Sequence, residues 1–460
     1  MVKQNKITKT ISNFLDNEYK NYSFYTACNR ACPSLIDGFK TGARKIMHAA
    51  MVGELKNGAT KKVTTLAGNT MSASLFQHGD QSLNGSIITL SQDFNFNLNP
   101  LFVDGQNGSL RSQEAASPRY LYVRHSKYTP IWKTDYDLLE FEEEEGQAVE
   151  PKYYLPVIPV VLAQRQSGMA PGYAFGSMSY NPIDIIDACM ECLKSRKKEN
   201  KLQDFVLHPY VREIKKKNWK MEDGRWMNYG EWKWDEKKRE IIITDLPYDM
   251  TFDKFEKLLN KYVENEDIKD WKNLSNGSTI EYRIDCKKGK WALTLKGKRV
   301  DDKIQAKFKL KSGAEADILW VVDENKKIRH FNSPKDLIEY FVDFRLTKYT
   351  DRKKRLVKIL EERIKKNDEL VKFIELVCKG KLVIRNRSKV DIKKDMDGYK
   401  LPMELISTPM SKVTIEERDE LLKQNESMKK ELEYIKKTTE KQMYINDLDS
   451  LRKEIEKDFK

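Results

Sequence analysis

Apolar residues recur along this chain with changing period, and the changes divide it. Between residues 12 and 30, Phe14, Leu15, Tyr19 and Tyr22 fall three or four apart, which predicts an amphipathic helix opened by Ser12. Val63, Leu66, Ala67 and Thr70 predict a second, short helix. After a break at Gln77-His78-Gly79, a third starts at Asp80 and points Leu83, Ile87 and Leu90 inward. Two helices about a tight turn form a helix-turn-helix pattern, whose second helix is the candidate for groove contact.

Further on the pattern shifts to strands. REIIITDLP, STIEYRID and ADILWVVD alternate with the helical DKFEKLLNKYVEN, so the region up to residue 332 reads as an α+β platform. The piece WKMEDGRWMNYGEWKW, 219–234, fits either a hairpin with buried aromatics or a stacking surface for single strands. Phe141 to Glu145 reads as a solvated acidic turn. The last third returns to the helical period. Ser333-Pro334 with Asp336 opens one helix running to about Val377, and Thr414 with Glu417 forms a capping box for another running to about Lys457. Each is about 65 Å long at 1.5 Å per residue, and their equal lengths predict an antiparallel coiled-coil hairpin with a small knob at 378–413.

Length adds that 460 residues exceed one compact core and divide into two to four domains. Charge adds a partner. With 84 Lys and Arg against 70 Asp and Glu, the net +14 favours a polyanion, and for a soluble protein that is nucleic acid. Six cysteines make no disulfide scaffold and point to a reducing compartment. Cys189 and Cys192 have the CxxC spacing without a second pair, on what reads as an amphipathic helix. The start MVKQNKITKT has no apolar leader, and YYLPVIPVVLA at 153–163 is too short to cross a bilayer, so a cytoplasmic protein with no membrane partner is expected.

The candidate chemistry lies in VDGQNGSLRSQEAASPRYLYVR, residues 103–124. A phenol is a poor nucleophile near neutral pH and needs a cation beside it, and Tyr120 follows Arg119 directly. A guanidinium also matches the charge that builds on a phosphoryl group under attack. Residues 30–51, RACPSLIDGFKTGARKIMHAAM, set Arg30, Lys40, Arg44 and Lys45 around a Pro- and Gly-bearing loop at a helix start, which suits phosphate contact.

VDGQNGS followed by AASPRY resembles the active-site segment of type IIA DNA topoisomerase breakage subunits, with two glycine-loop residues missing. The order R-A-x-P, D-G-x-K and two basic residues is similar to that family's N-terminal signature, and Phe76-Gln77-His78-Gly79-Asp80 to its His-Pro-His-Gly-Asp, with only the second histidine kept. In Ser167-Gly168-Met169-Ala170, Met169 takes the place of the isoleucine that wedges between base pairs and bends the duplex. These motifs keep the family order across nearly the whole chain. In size and layout the chain is most like the separate DNA-cleaving subunits of T-even-type bacteriophage enzymes.

The resemblance implies an α+β multidomain protein. An N-terminal arm (1–29) would precede a winged-helix, helix-turn-helix cleavage domain (30–150), an α/β tower (151–332) and a long antiparallel coiled coil with a dimerisation gate (333–460). Tyr120 would attack a backbone phosphate with Arg119 and His78 assisting, while Arg30, Lys40, Arg44, Lys45 and Met169 hold and bend the DNA. It further implies that Mg²⁺ and ATP belong to a separate large subunit, since no Glu…Asp-x-Asp triad or Walker-type loop is present here. Two such pairs would assemble through the gate as a dimer of heterodimers. Because the chain stops after the coiled coil, a DNA-wrapping domain is expected to be missing. A DNA-bending architectural protein and a tyrosine recombinase are the alternatives. The first has no use for Tyr120, and the second places its tyrosine near the C-terminus.

Overall fold

A computed structural model describes residues 10–459 except 54, 77–78, 196–201, 203, 236, 277–278, 287–299, 385–386, 410 and 412. The chain divides into two compact units, Met1–Val342 with Leu451–Lys460, and Asp343–Ser450.

The first unit opens with a helical segment from Ile11 to Ala31 that alternates between α and π turns. Its cap is Thr10, whose hydroxyl accepts from the Asn13 amide at 3.2 Å, and not Ser12 as the sequence suggested. The helices Thr41–Val52, Val63–Ala73 and Asp80–Ser91 follow, packed on one another, with Leu66, Leu83, Ile87 and Leu90 buried as their spacing required. A three-stranded antiparallel sheet completes a winged helix, with Tyr122–His125 between Lys61–Lys62 and Leu101–Asp104 and Val103 opposite Val123. Its buried positions alternate, Leu101 and Val103 on one strand and Leu121 and Val123 on the next.

The acidic run at 141–145 is not a turn, which corrects the sequence reading. Phe141–Glu144 is a strand paired with Gln147–Pro151, and the reversal falls on Glu145 and Gly146, both at positive φ. Two of its carboxylates are held by cations, Glu144 by Lys45 at 3.2 Å and Glu142 by Lys326 at 2.8 Å. Cys189 and Cys192 lie buried on the helix Pro182–Lys194. Further along, four strands in the order Trp232–Asp235, Glu240–Ile243, Tyr282–Asp285, Asp270–Asn273 form a sheet. The helices Phe252–Glu264 and Val300–Lys307 pack on one of its faces and close a core around Ile241, Ile243, Phe255, Leu259 and Tyr282. Trp232 and Trp234 lean on this core, and Trp219 is buried against Tyr248. Trp219, Trp232 and Trp234 are therefore packing residues. A separate four-stranded sheet carries the Ser167–Ala170 and Tyr173–Gly176 hairpin at its edge.

In the second unit two antiparallel helical arms pair along their length. Glu361 meets Lys436, Lys353 meets Glu440, and Tyr349 stacks on Tyr444 with ring centroids 4.6 Å apart. The first arm is the unbroken helix Pro334–Cys378. The second is broken, contrary to the sequence expectation of one helix from 414 to 457. Ile415–Lys437 ends at Thr438, whose hydroxyl bonds back to the Tyr434 carbonyl at 2.7 Å, and Thr439 caps Glu440–Ile455 through the Gln442 amide at 3.2 Å. Adjacent threonine hydroxyls compete with the helix ladder for backbone groups, and here they win. Between the arms Leu382, Ile392, Met396 and Leu401 close a small knob of their own against Phe373, Ile374 and Leu421.

Candidate active site and DNA-facing surface

The Arg-Tyr pair sits on a single 3₁₀ turn, Pro118–Tyr120, that feeds directly into the central strand of the winged helix. Pro118 presets the turn, and the Tyr120 amide closes it on the Ser117 carbonyl at 3.0 Å. The strand then buries Leu121, so the preceding side chain is directed outward and Tyr120 stands 69% exposed. The guanidinium carbon of Arg119 lies 5.9 Å from its ring centroid, and Arg119 is itself exposed. Among the described residues no carboxylate pairs with Arg119, so the guanidinium is open to an incoming anion.

The glycines before the pair are required by this arrangement. Gly105 has φ +114°, and a Cβ there would lie 2.8 Å from Leu121 Cδ2; Gly108 has φ +80°, and its Cβ would lie 2.6 Å from the Gln113 carbonyl oxygen. The loop closes on itself through Ala116 N donating to Gln106 O (2.8 Å), and it is pinned to the winged helix by Gln92 Nε2 donating to Asn107 O (2.8 Å) and Asn107 Nδ2 to Ser91 Oγ (3.0 Å). Beyond the turn, Phe102, Tyr122 and Arg124 share the outer face of the sheet, with Arg124 over the Phe102 ring at 4.2 Å. The sequence reading did not single these out, although alternate residues of LFVD and LYVR carried the signal.

Of the other expected residues, His78 lies outside the described residues. Its neighbour Gly79, at φ +81°, opens the helix Asp80–Ser91. Arg30 is exposed at the end of the N-terminal helical segment. Lys40 is half-buried and donates to the Ser167 carbonyl at 2.8 Å, and burial lowers its pKa. That bond ties the basic loop to the hairpin that carries Met169, and a Cβ on Gly168 would lie 2.1 Å from the Ala31 carbonyl oxygen. Met169 is 88% exposed.

Arg44 and Lys45 correct the sequence expectation. Both are buried on the inner side of the helix Thr41–Val52. Arg44 pairs with Asp37 and reaches the Phe39 carbonyl at 3.3 Å; Lys45 reaches Glu150 at 2.9 Å, Glu144 at 3.2 Å and the Ser74 carbonyl at 2.7 Å. A buried charge must be paired, and the bonds named turn both side chains towards the protein's own acceptors. The described residues do not fit a metal either, since no three His, Cys, Asp or Glu groups among them converge as ligands. Among them, too, no helix is long and apolar enough to cross a membrane.

A family model that describes the A-subunit of DNA gyrase/topoisomerase IV matches residues 30–449. The chain is 29% identical to the mitochondrial DNA topoisomerase 2 of Dictyostelium discoideum, over 98% of this chain and 36% of that protein. It is 25% identical to the DNA topoisomerase medium subunit of Enterobacteria phage T4, over 96% of this chain and 99% of that protein. In fold it is similar to the DNA-binding, cleavage and re-ligation domain of Plasmodium falciparum topoisomerase II, with a TM-score of 0.84 and 24% identity over 96% of this chain and 64% of that one. The chain spans about a third of the Dictyostelium and Arabidopsis relatives it matches, but nearly the whole of the phage protein.

Proposed function

The chain belongs to the DNA gyrase/topoisomerase IV A-subunit family, and on that premise we propose that it is the DNA-cleaving subunit of a type II DNA topoisomerase. The observation that carries this reading is the exposed Tyr120 phenol beside the exposed Arg119 guanidinium, at the outer end of a winged-helix sheet. The phenol oxygen attacks a backbone phosphorus, a 5′-phosphotyrosyl bond forms, and the bond to the 3′ oxygen breaks. The phenol loses its proton and the departing 3′ oxygen gains one. Arg119 stabilises charge on the non-bridging oxygens. Because one phosphodiester is exchanged for another, the energy of the broken bond is kept for resealing. Arg30 and Lys40 contact the duplex backbone, and Met169 opens a base step to bend it. A second duplex then passes through the gap, which relaxes or unlinks DNA. The segments 30–150, 151–332 and 333–460 serve as cleavage domain, tower and gate.

Mg²⁺ and ATP serve the complex from a separate large subunit. That subunit docks against the N-terminal region. The segment Ile11–Ala31 leaves Phe14, Leu15, Tyr22 and Phe24 exposed, and a cavity of about 1250 Å³ lined by the same segment, Glu142, Glu144, Glu150 and Asp323 lies beside it. An apolar helix face of this extent calls for a covering partner. An architectural bending protein would have no use for the exposed phenol.

Trapping with denaturant on a linear duplex tests the reading. Assembled with Mg²⁺ and its large subunit, the chain should leave a covalent protein–DNA adduct that Tyr120→Phe abolishes without loss of DNA binding, and the chain alone should leave none. An adduct in Tyr120→Phe would overturn the assignment.

A further inference from the structure

Arg111 lies on the catalytic loop nine residues before Tyr120, yet its guanidinium leaves the loop altogether. It donates to the carbonyl oxygens of Pro247 at 2.6 Å, Leu246 at 2.7 Å and Met250 at 2.9 Å, and stands 3.4 Å from the Asp245 carboxylate. In return the Arg111 carbonyl accepts from the Phe252 amide at 3.0 Å. Those acceptors belong to the connection between the strand Glu240–Ile243 and the helix Phe252–Glu264 of the tower sheet. The neighbouring Leu110 is fully buried among Tyr248, Trp219 and Met178.

The loop is therefore held from two sides. Its base is closed by the Gln106–Ala116 pair and bonded to the winged helix through Ser91 and Gln92, and its apex is bonded to the tower through the side chain and carbonyl of Arg111. A planar guanidinium with five donors can satisfy three carbonyls at once, whereas an ammonium offers three donors on a flexible stem and no fixed fork. Buried carbonyls that lose their donor carry a desolvation cost, so the connection would shift away from a substitute.

We propose that Arg111 is a positioning residue for Tyr120, fixing the turn that carries the phenol relative to the sheet that bears the flanking duplex. It is buried and does not contact DNA. The proposal rests on the reading of Tyr120 as nucleophile. Attack in line on phosphorus needs the phenol oxygen placed to within a fraction of an ångström, and misplacement by about 1 Å costs about 10²-fold.

The test uses Arg111→Lys and Arg111→Gln in the full chain, assembled with Mg²⁺ and the large subunit on a linear duplex, beside wild type and Tyr120→Phe. Melting temperature should fall, as the buried carbonyls and Asp245 lose their donor, while DNA affinity holds and covalent adduct, measured well below that temperature, falls by about 10²-fold. Hydrogen exchange should quicken at 105–117 and stay unchanged in the strands 240–243 and 282–285. Adduct at the wild-type level overturns the proposal, as does a parallel fall in adduct and affinity, which would mark a residue that seats DNA. If neither variant folds, Arg111 holds the fold and the proposal falls. If wild type forms no adduct, or Tyr120→Phe still does, the reading of Tyr120 fails and takes the proposal with it.

Discussion

Arg44 and Asp37 form a buried two-point ion pair, Nε to Oδ2 at 2.7 Å and Nη2 to Oδ1 at 3.1 Å. The same carboxylate accepts the Phe39 and Tyr154 amides, each at 3.0 Å, and the Asp37 carbonyl accepts Trp132 Nε1 at 3.1 Å. One residue of the basic loop thus organises the loop's backbone, its helix and the apolar wall behind it. Arg44→Ala leaves that carboxylate buried without its cation, and chemical unfolding should show a loss of about 3–5 kcal/mol. The slope of log affinity against log salt should not change, whereas Arg30→Ala should reduce it by about 1. A reduced slope for Arg44→Ala would return that residue to the DNA surface.

Met169→Ala removes an 88% exposed side chain and should leave stability and phosphate-driven affinity nearly intact. Bending and cleavage should fall together, because separating a base step costs a few kcal/mol that only an inserted side chain offsets. Fluorescence transfer between the duplex ends reads the bend. Normal bending in the variant would make Met169 an ordinary surface residue.

The knob between the helical arms leaves Val383 and Val390 exposed, the latter at 65%. If this face closes the gate between two copies, Val390→Glu should shift the protein towards monomer in sedimentation, since an unpaired carboxylate is costly in an apolar contact. A dimer of unchanged strength would place the interface elsewhere.

His48 and His125 are both shielded from solvent. Burial lowers the pKa of each, with Lys45 adding to the effect at His48 and Lys133 at His125. A histidine whose folded pKa is depressed takes up its proton more readily when unfolded. Its contribution is therefore present above the unfolded value of about 6.5 and is lost as pH falls below it. Melting temperature should drop on acidification through this range, and His125→Gln should flatten part of the drop. An identical pH profile for the variant would exclude His125 as a source.

The local elements were legible in the chain because periodicity and capping are local properties. The spacing of Leu83, Ile87 and Leu90 gave the inner face of its helix, Ser333 caps Asp336 at 3.2 Å, and Thr414 caps Glu417 at 3.2 Å. The candidate pair Tyr120 and Arg119 was legible as well, since residues adjacent in sequence remain adjacent in any fold. The direction of a charge was not. Arg30, Lys40, Arg44 and Lys45 look alike as a basic cluster, yet the helix Thr41–Val52 turns the last two towards Asp37, Glu144 and Glu150, and the carboxylate at 150 is 105 residues from Lys45. Arg111 was missed for the same reason, because its partners at 245–250 are more than 130 residues away. Sequence determined which groups could do the chemistry. Only the tertiary structure, by bringing distant acceptors within about 3 Å of some cations and leaving others at the surface, decided which of them stay open to an anionic partner.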